Sequence, residues 1–197
     1  MPKFPDSQLA HRYLDGLKGV EIGASAHNPF NIAGCLNVDY TADIETPFKQ
    51  EEVRLCGEMA AVDVVADGAR LPFPPESFDF VLSSHVLEHF YDPIGVIEEW
   101  LRVLRPGGYI FVVVPHKERT FDAPRPRTTL AELLERHANP SDAPSDDHRH
   151  YSVWVTEDLL ELCRWMGLDV VDYQDVDDKV GNGFTAVIRK RADQAVG

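Results

Sequence analysis

Short continuous apolar runs alternate along this chain with longer stretches in helical rhythm. The runs "GVEIG" (19–23), "LNVDY" (36–40), "AVDVVAD" (61–67), "FDFVLSS" (78–84) and "YIFVVVP" (109–115) read as strands. Most are continuous rather than alternating, the pattern of parallel strands covered on both faces. Between the last two, "DPIGVIEEWLRVLRPGG" sets Ile94, Ile97, Leu101 and Leu104 at helical spacing, with Pro106-Gly107-Gly108 as the predicted stop. Repeated strand–helix–strand alternation predicts a doubly wound α/β sheet.

The rhythm breaks after His116. Residues 117–152 are rich in Pro, Asp, Arg and His, with one short helix predicted over "TTLAELLERH" (128–137). A long polar connection of this kind is expected to act as a loop or lid over a site. Beyond it, "VTEDLLELCRWMG" (155–167) reads as a helix with Thr156 as N-cap and Gly167 as its stop. "LDVVDYQDV" and "FTAVIRKR" then flank "DDKVGNG", which predicts a closing antiparallel hairpin. The expectation is a single domain over residues 1–197, with 117–152 as a loop or lid insertion.

Composition narrows the class. At 197 residues the chain can bury a core without staples, and Cys35, Cys56 and Cys163 show neither CxxC pairing nor metal spacing. That thiol usage suggests a reducing cytoplasm. No apolar stretch approaches a membrane span, and the N-terminal residues do not read as a signal peptide. A net charge of −14 disfavours a nucleic-acid partner.

In an open parallel sheet, ligands sit beyond the carboxyl ends of the strands. The residues expected there are Glu21, Gly23, Ala24 and Ser25 after the first strand, and Asp39 after the second. Asp67, Gly68 and Ala69 follow the third, Ser84 and His85 end the fourth, and His116 follows the fifth. Asp39 lies eighteen residues after Glu21, about the separation at which a second-strand acid accepts from ribose hydroxyls. The turn Gly23-Ala24-Ser25-Ala26-His27-Asn28 lacks the GxGxxG pyrophosphate cradle. The expected ligand therefore has a ribose but no phosphates.

The segment from Asp63 to Pro115 carries D-x-x-x-LPF, then FD-x-V, then LEH, then LRPGG. This run resembles the class I S-adenosylmethionine-dependent methyltransferases, and the resemblance extends from about Lys18 to Ile188. It implies a Rossmann-like seven-stranded α/β sheet, mostly parallel, with a C-terminal antiparallel hairpin. It also implies S-adenosyl-L-methionine as cofactor. Glu21 and Gly23 would then line the methionyl end, Asp39 would hold the ribose, and Asp67 would accept from the adenine amino group. The Ala69 amide would reach a ring nitrogen, and Ser84 and His85 would lie beside the sulfonium. Only twelve residues, 24–35, lie between the first two strands, so the family's first helix is expected to be short or replaced by loop.

Chemistry bears on the methyl acceptor. A thiolate or neutral amine can attack a sulfonium unaided, but an alcohol must lose its proton as it attacks. Relatives carry a histidine and then an aromatic–hydroxyl pair just before the last large helix; "DDHRHYS" supplies His148, Tyr151 and Ser152 there. His148 is the expected general base, with Asp147 and His150 beside it and with His116 and Tyr151 as acceptor contacts. Asp146, Asp147 and His148 are also the residues on which Mg²⁺ or another divalent ion would sit. The leading expectation is an O-methyltransferase for a sugar or oligosaccharide hydroxyl, resembling bacterial polysaccharide enzymes, with a second subunit of a homodimer helping to shape the site. A methyltransferase for a natural product or quinone-like molecule, and a non-catalytic S-adenosylmethionine-binding protein, are the alternatives.

Overall fold

The computed structural model describes residues 3–142 and 149–192. Seven strands form one sheet in the order β3-β2-β1-β4-β5-β7-β6. β1 (Gly19–Ile22), β2 (Cys35–Asp39), β3 (Val64–Val65), β4 (Phe78–Ser84) and β5 (Leu104–Pro115) run parallel, while β7 (Gly183–Arg189) pairs antiparallel with β5 and with β6 (Asp169–Gln174). The order reverses at β1, which lies between β2 and β4, and that is the switch point where a doubly wound sheet opens a crevice.

The continuous apolar strands fill two cores, one on each face. Val81, Ile110, Val112 and Val114 face the layer formed by α3 (Pro93–Val103), α4 (Leu130–Ala138) and α5 (Thr156–Trp165). Phe80, Leu82, Phe111 and Val113 face the opposite side, where Leu9, Ala10 and Leu14 of the short helix α1 (Gln8–Leu14) cover them. Leu133 of α4 is buried in the first core, so the polar segment after β5 is packed onto the domain along part of its length. Thr129 caps α4 through a reciprocal capping box with Glu132.

Four local expectations change. The run 61–67 contributes only the two-residue strand Val64–Val65, because β3 is an edge that pairs solely with β2. The helix before β5 ends at Val103 rather than at the Pro-Gly-Gly turn. Leu104 already pairs with Phe78, and the register then shifts through 105–108 before Tyr109 pairs with Phe80. Thr156 is the first helical residue instead of the cap; Asp158 reaches back to the Val155 amide at 2.9 Å. Helix α2 (Pro47–Cys56), between β2 and β3, has no counterpart in the apolar pattern.

The turn after β1 holds no helix; residues 23–34 run as loop into β2. Phe30 plugs that loop into the core edge-on against Phe111, with ring centroids 6.1 Å apart. The Lys179 ammonium sits 4.8 Å from the Phe30 ring centre and donates to the carbonyls of Pro5 and Pro29. Glu52 of α2 accepts from the Ala26 amide and, at 2.7 Å, from that of Ala60. Buried charges thus do the anchoring that a first helix would otherwise do.

Candidate active site

A cavity of about 810 Å³ opens at the carboxyl ends of β1, β2 and β4. That volume suits a ligand of nucleoside-plus-amino-acid size. Glu21, Gly23, Ala24, Ser25, Asp39, Asp67, Gly68, Ser84 and His85 all line it. Residues drawn from four separate strand ends are therefore brought to one wall.

Gly23 has φ +73°, and a Cβ there would lie 2.5 Å from Cγ2 of Val86. No other residue fits without displacing that side chain. Gly68 is equally crowded: a Cβ there would meet Ile22 Cγ2 at 2.8 Å and Phe90 Cζ at 2.9 Å. Its carbonyl accepts from the indole Nε1 of the fully buried Trp100 at 2.9 Å. Asp67 accepts from the Ala69 amide at 2.8 Å, which closes the turn, and Ala69 does not line the cavity. Asn28 donates to Ser84 at 3.3 Å, tying the first turn to the end of β4.

Electrostatics distinguish Asp39 from Glu21. Asp39 is paired with Lys49 of α2 at 2.8 Å, and Lys49 also lies 3.5 Å from Glu52. Glu21 is desolvated so strongly that its carboxyl is pushed up to about 8, with the distant Lys179 charge only partly offsetting this. His85 occupies the left-handed region at φ +56°, held by its amide to the Val113 carbonyl at 2.9 Å. Burial lowers its pKa, so the imidazole is held neutral.

Beyond His85 lies an imidazole cluster. His150 donates from Nδ1 to Asp122 at 2.6 Å, and Arg125 holds the other oxygen of Asp122 at 2.6 Å. Its Nε2 lies 3.9 Å from Glu88, as does Nε2 of His89. Glu88 is buried, and its carboxyl is pushed up to about 8, chiefly by desolvation. Phe48 packs edge-on to His89 with centroids 5.7 Å apart, and the exposed Phe121 tilts over His150 at 4.7 Å.

The sequence anticipated a carboxylate beside the histidines at Asp147; the partner seen for His150 is Asp122, 28 positions away. Asp146, Asp147 and His148 lie outside the described residues. His116 is buried at the end of β5, accepting from the Glu118 amide at 3.2 Å and packing on Phe184, and it does not line the cavity. Tyr151 is likewise turned away, edge-on to Tyr91 at 5.7 Å, with its amide donating to the Glu88 carbonyl at 2.7 Å. Lys49, Glu52, Glu88 and Asp122 were not anticipated; the "LEH" motif was the one sequence signal that pointed near Glu88.

Residues 27–112 match a family described as a methyltransferase domain. An S-adenosylmethionine-dependent methyltransferase from Thermotoga maritima aligns over 93% of this chain and 87% of its own, at 21% identity and a TM-score of 0.56. Over residues 27–112 the chain is similar to that methyltransferase family, and it shares the fold of the S-adenosylmethionine-dependent methyltransferases. That methyltransferase fold also serves other chemistry: a [4+2]-cyclase covers 93% of this chain and 78% of its own at 17% identity and TM-score 0.55. A demethylmenaquinone methyltransferase of Mycobacterium sp. (strain KMS) is 34% identical over 93 residues, which is 47% of this chain and 34% of that protein. The chain spans half or less of the length of the curated relatives it matches. Among the described residues, no helix is long and apolar enough to cross a membrane.

Proposed function

We propose that the chain is an S-adenosylmethionine-dependent O-methyltransferase acting on a hydroxyl of a sugar or oligosaccharide. The observation that carries this reading is the carboxylate-backed histidine, His150 on Asp122, next to His89 on the cavity wall. Imidazoles oriented by carboxylates or carbonyls are groups that can take the proton an alcohol must lose during attack.

The cavity lining supports S-adenosylmethionine as the cofactor. Gly23 and Gly68 let the backbone at the cavity wall pack against Val86, Ile22 and Phe90, and the acids Glu21, Asp39 and Asp67 line the same cavity. Glu21 would take the α-ammonium, Asp39 the ribose hydroxyls and Asp67 the exocyclic amine. His85, held neutral, can lie beside a sulfonium without repelling it. In the transfer, an acceptor hydroxyl oxygen forms the new C–O bond as the C–S bond breaks, the electron pair returns to sulfur, and the hydroxyl proton passes to a histidine. His148 is the proposed base, with His150 two residues on. A homodimer that completes the acceptor side belongs to the same proposal.

A panel of free sugars and oligosaccharides, assayed for S-adenosylhomocysteine release, tests this. His148→Ala should lower turnover by about 10²–10⁴ while leaving cofactor affinity nearly intact. If a folded, cofactor-binding variant kept more than about a tenth of the activity, the base would lie elsewhere. Binding without turnover across the panel would favour a non-catalytic protein.

The apolar rim favours a second reading. Phe48 and Phe121 are exposed beside His89 and His150, and the mycobacterial relative is named for a quinone substrate. Turnover of quinols with none of sugars would select a quinone-type acceptor.

A further inference from the structure

We propose that Glu88, His89 and His150 form a binding site for a borderline divalent metal ion of the Zn²⁺ type, at the acceptor end of the cavity. One donor atom from each residue lies within 4.8 Å of the others, and each imidazole Nε2 is 3.9 Å from the same Glu88 oxygen. Bonds of about 2.0–2.2 Å to one ion place ligand atoms roughly 3.0–3.5 Å apart. Closing onto an ion therefore takes side-chain shifts of about an ångström or less.

Outer hydrogen bonds prepare both rings for this. His89 donates from Nδ1 to the Arg149 carbonyl at 3.0 Å, and His150 donates from Nδ1 to Asp122 at 2.6 Å. A carbonyl or an arginine-held carboxylate accepts only, so Nδ1 is the donor of each ring and Nε2 is the nitrogen that can ligate an ion. Those Nε2 atoms are the ones turned toward Glu88. Histidine ligands in metal sites are oriented by this kind of backing.

Glu88 supplies the second, independent sign. It is 1% exposed, and neither carboxylate oxygen meets a hydrogen-bond donor among the described residues. A buried carboxyl without partners is costly unless something else satisfies it. A cation placed between the three side chains would do so. The backbone around Glu88 is also fixed, since its carbonyl accepts from the amides of Tyr151 and Ser152 at 2.7 and 3.1 Å, which holds the His150 segment against the "LEH" turn.

The donor set selects the ion. Two imidazoles and one carboxylate suit Zn²⁺, Fe²⁺ or Mn²⁺ rather than the all-oxygen shell that Mg²⁺ demands. Three protein ligands leave at least one position open, as in catalytic rather than structural zinc sites. His89 lies on the cavity wall, so the open position is beside the space left for the acceptor. The role of the ion rests on the O-methyl transfer reading: a hydroxyl bound to it would give up its proton more readily, which leaves His148 as the group that receives it.

Chelator-treated full-length protein titrated with Zn²⁺ by calorimetry, and with Co²⁺ by visible absorption, tests the site directly. One ion per chain is expected, with tetrahedral or five-coordinate Co²⁺ absorption bands. Glu88→Gln and His150→Asn should weaken Zn²⁺ binding by more than about 100-fold, and Asp122→Asn by about 10–100-fold. S-adenosylmethionine titration of the same preparations reports whether each variant is folded. No uptake of Zn²⁺ or Co²⁺ by the wild-type chain, or equal uptake by a folded Glu88→Gln variant, overturns the proposal. Zn²⁺ binding without methyl transfer to any acceptor would leave the metal site standing and sink the reaction instead.

Discussion

The Lys49 ammonium lies 2.8 Å from the Asp39 carboxylate, and both side chains are nearly sealed from solvent. The acid proposed to hold the ribose is therefore already paired with a cation delivered from α2. Among the described residues, its other oxygen accepts a long bond of 3.3 Å from the Thr41 amide, which leaves capacity for a hydroxyl.

Removing one member of a buried pair strands the other charge. Asp39→Ala should weaken S-adenosylmethionine binding by about 1–3 kcal/mol and also lower stability, because Lys49 loses its closest anion. Adding Lys49→Met should restore much of the stability without restoring the affinity. Calorimetric titration and thermal melts of both variants separate the two effects. Cofactor affinity unchanged in Asp39→Ala would mean the ribose binds elsewhere.

That pair also marks the boundary of what the sequence discloses. Strand ends were legible because apolar runs stop where the sheet stops, and a parallel sheet collects its ligand groups at one edge. Glu21, Asp39 and Asp67 followed from that alone. Helix α2 did not, since the residues it buries are Lys49 and Glu52, so no apolar stripe betrays it. The extension of β5 back to Leu104 was hidden because a register shift absorbs the Pro-Gly-Gly turn inside the strand. His150 and Asp122 are separated by a helix, and nothing local pairs them; the acids adjacent to His148 were the nearer candidates by chain position alone.

Glu21 gives the domain a pH dependence. Its folded pKa is raised to about 8 from an ordinary 4.5, so between those values the folded chain holds a proton that the unfolded chain has released. The associated stability is fully present below about 4.5 and is lost as pH rises through about 8. Glu21→Gln abolishes that loss, so its stability relative to wild type should improve by on the order of 2–4 kcal/mol between pH 5 and pH 9. A cationic α-ammonium bound at Glu21 would favour the carboxylate, so cofactor binding near pH 7 should release a proton. Calorimetry in buffers of different ionisation heat measures that release. A buffer-independent enthalpy would place the ammonium away from Glu21.

Gly23 should tolerate no side chain. Gly23→Ala meets both the positive φ and the 2.5 Å approach to Val86, and should cost about 1–3 kcal/mol of stability together with most cofactor binding. Val86→Ala in the same chain removes the collision but not the backbone strain. Partial recovery of the melting temperature is therefore expected. A Gly23→Ala protein with wild-type stability and affinity would show that this turn can move away from the cavity.

Trp100 is expected to act on adenine recognition without touching the ligand. Its indole N–H holds the Gly68 carbonyl at 2.9 Å, and Gly68 is wedged between Ile22 and Phe90, so the turn that presents Asp67 has little freedom while that bond persists. Trp100→Phe keeps an aromatic ring in the core but leaves the carbonyl without its donor, which should cost about 1–3 kcal/mol of stability. Stability alone would not distinguish a positioning role from a packing one. The discriminating measurement is the affinity ratio between S-adenosylhomocysteine and its inosine analogue, in which a ring carbonyl replaces the amino donor. If Asp67 reads that amine, the wild-type chain should prefer the adenosine compound by at least about tenfold, and Trp100→Phe should shrink the preference while Asp67→Asn abolishes it. A ratio unchanged in Trp100→Phe would mean that the crowding around Gly68 holds the turn by itself.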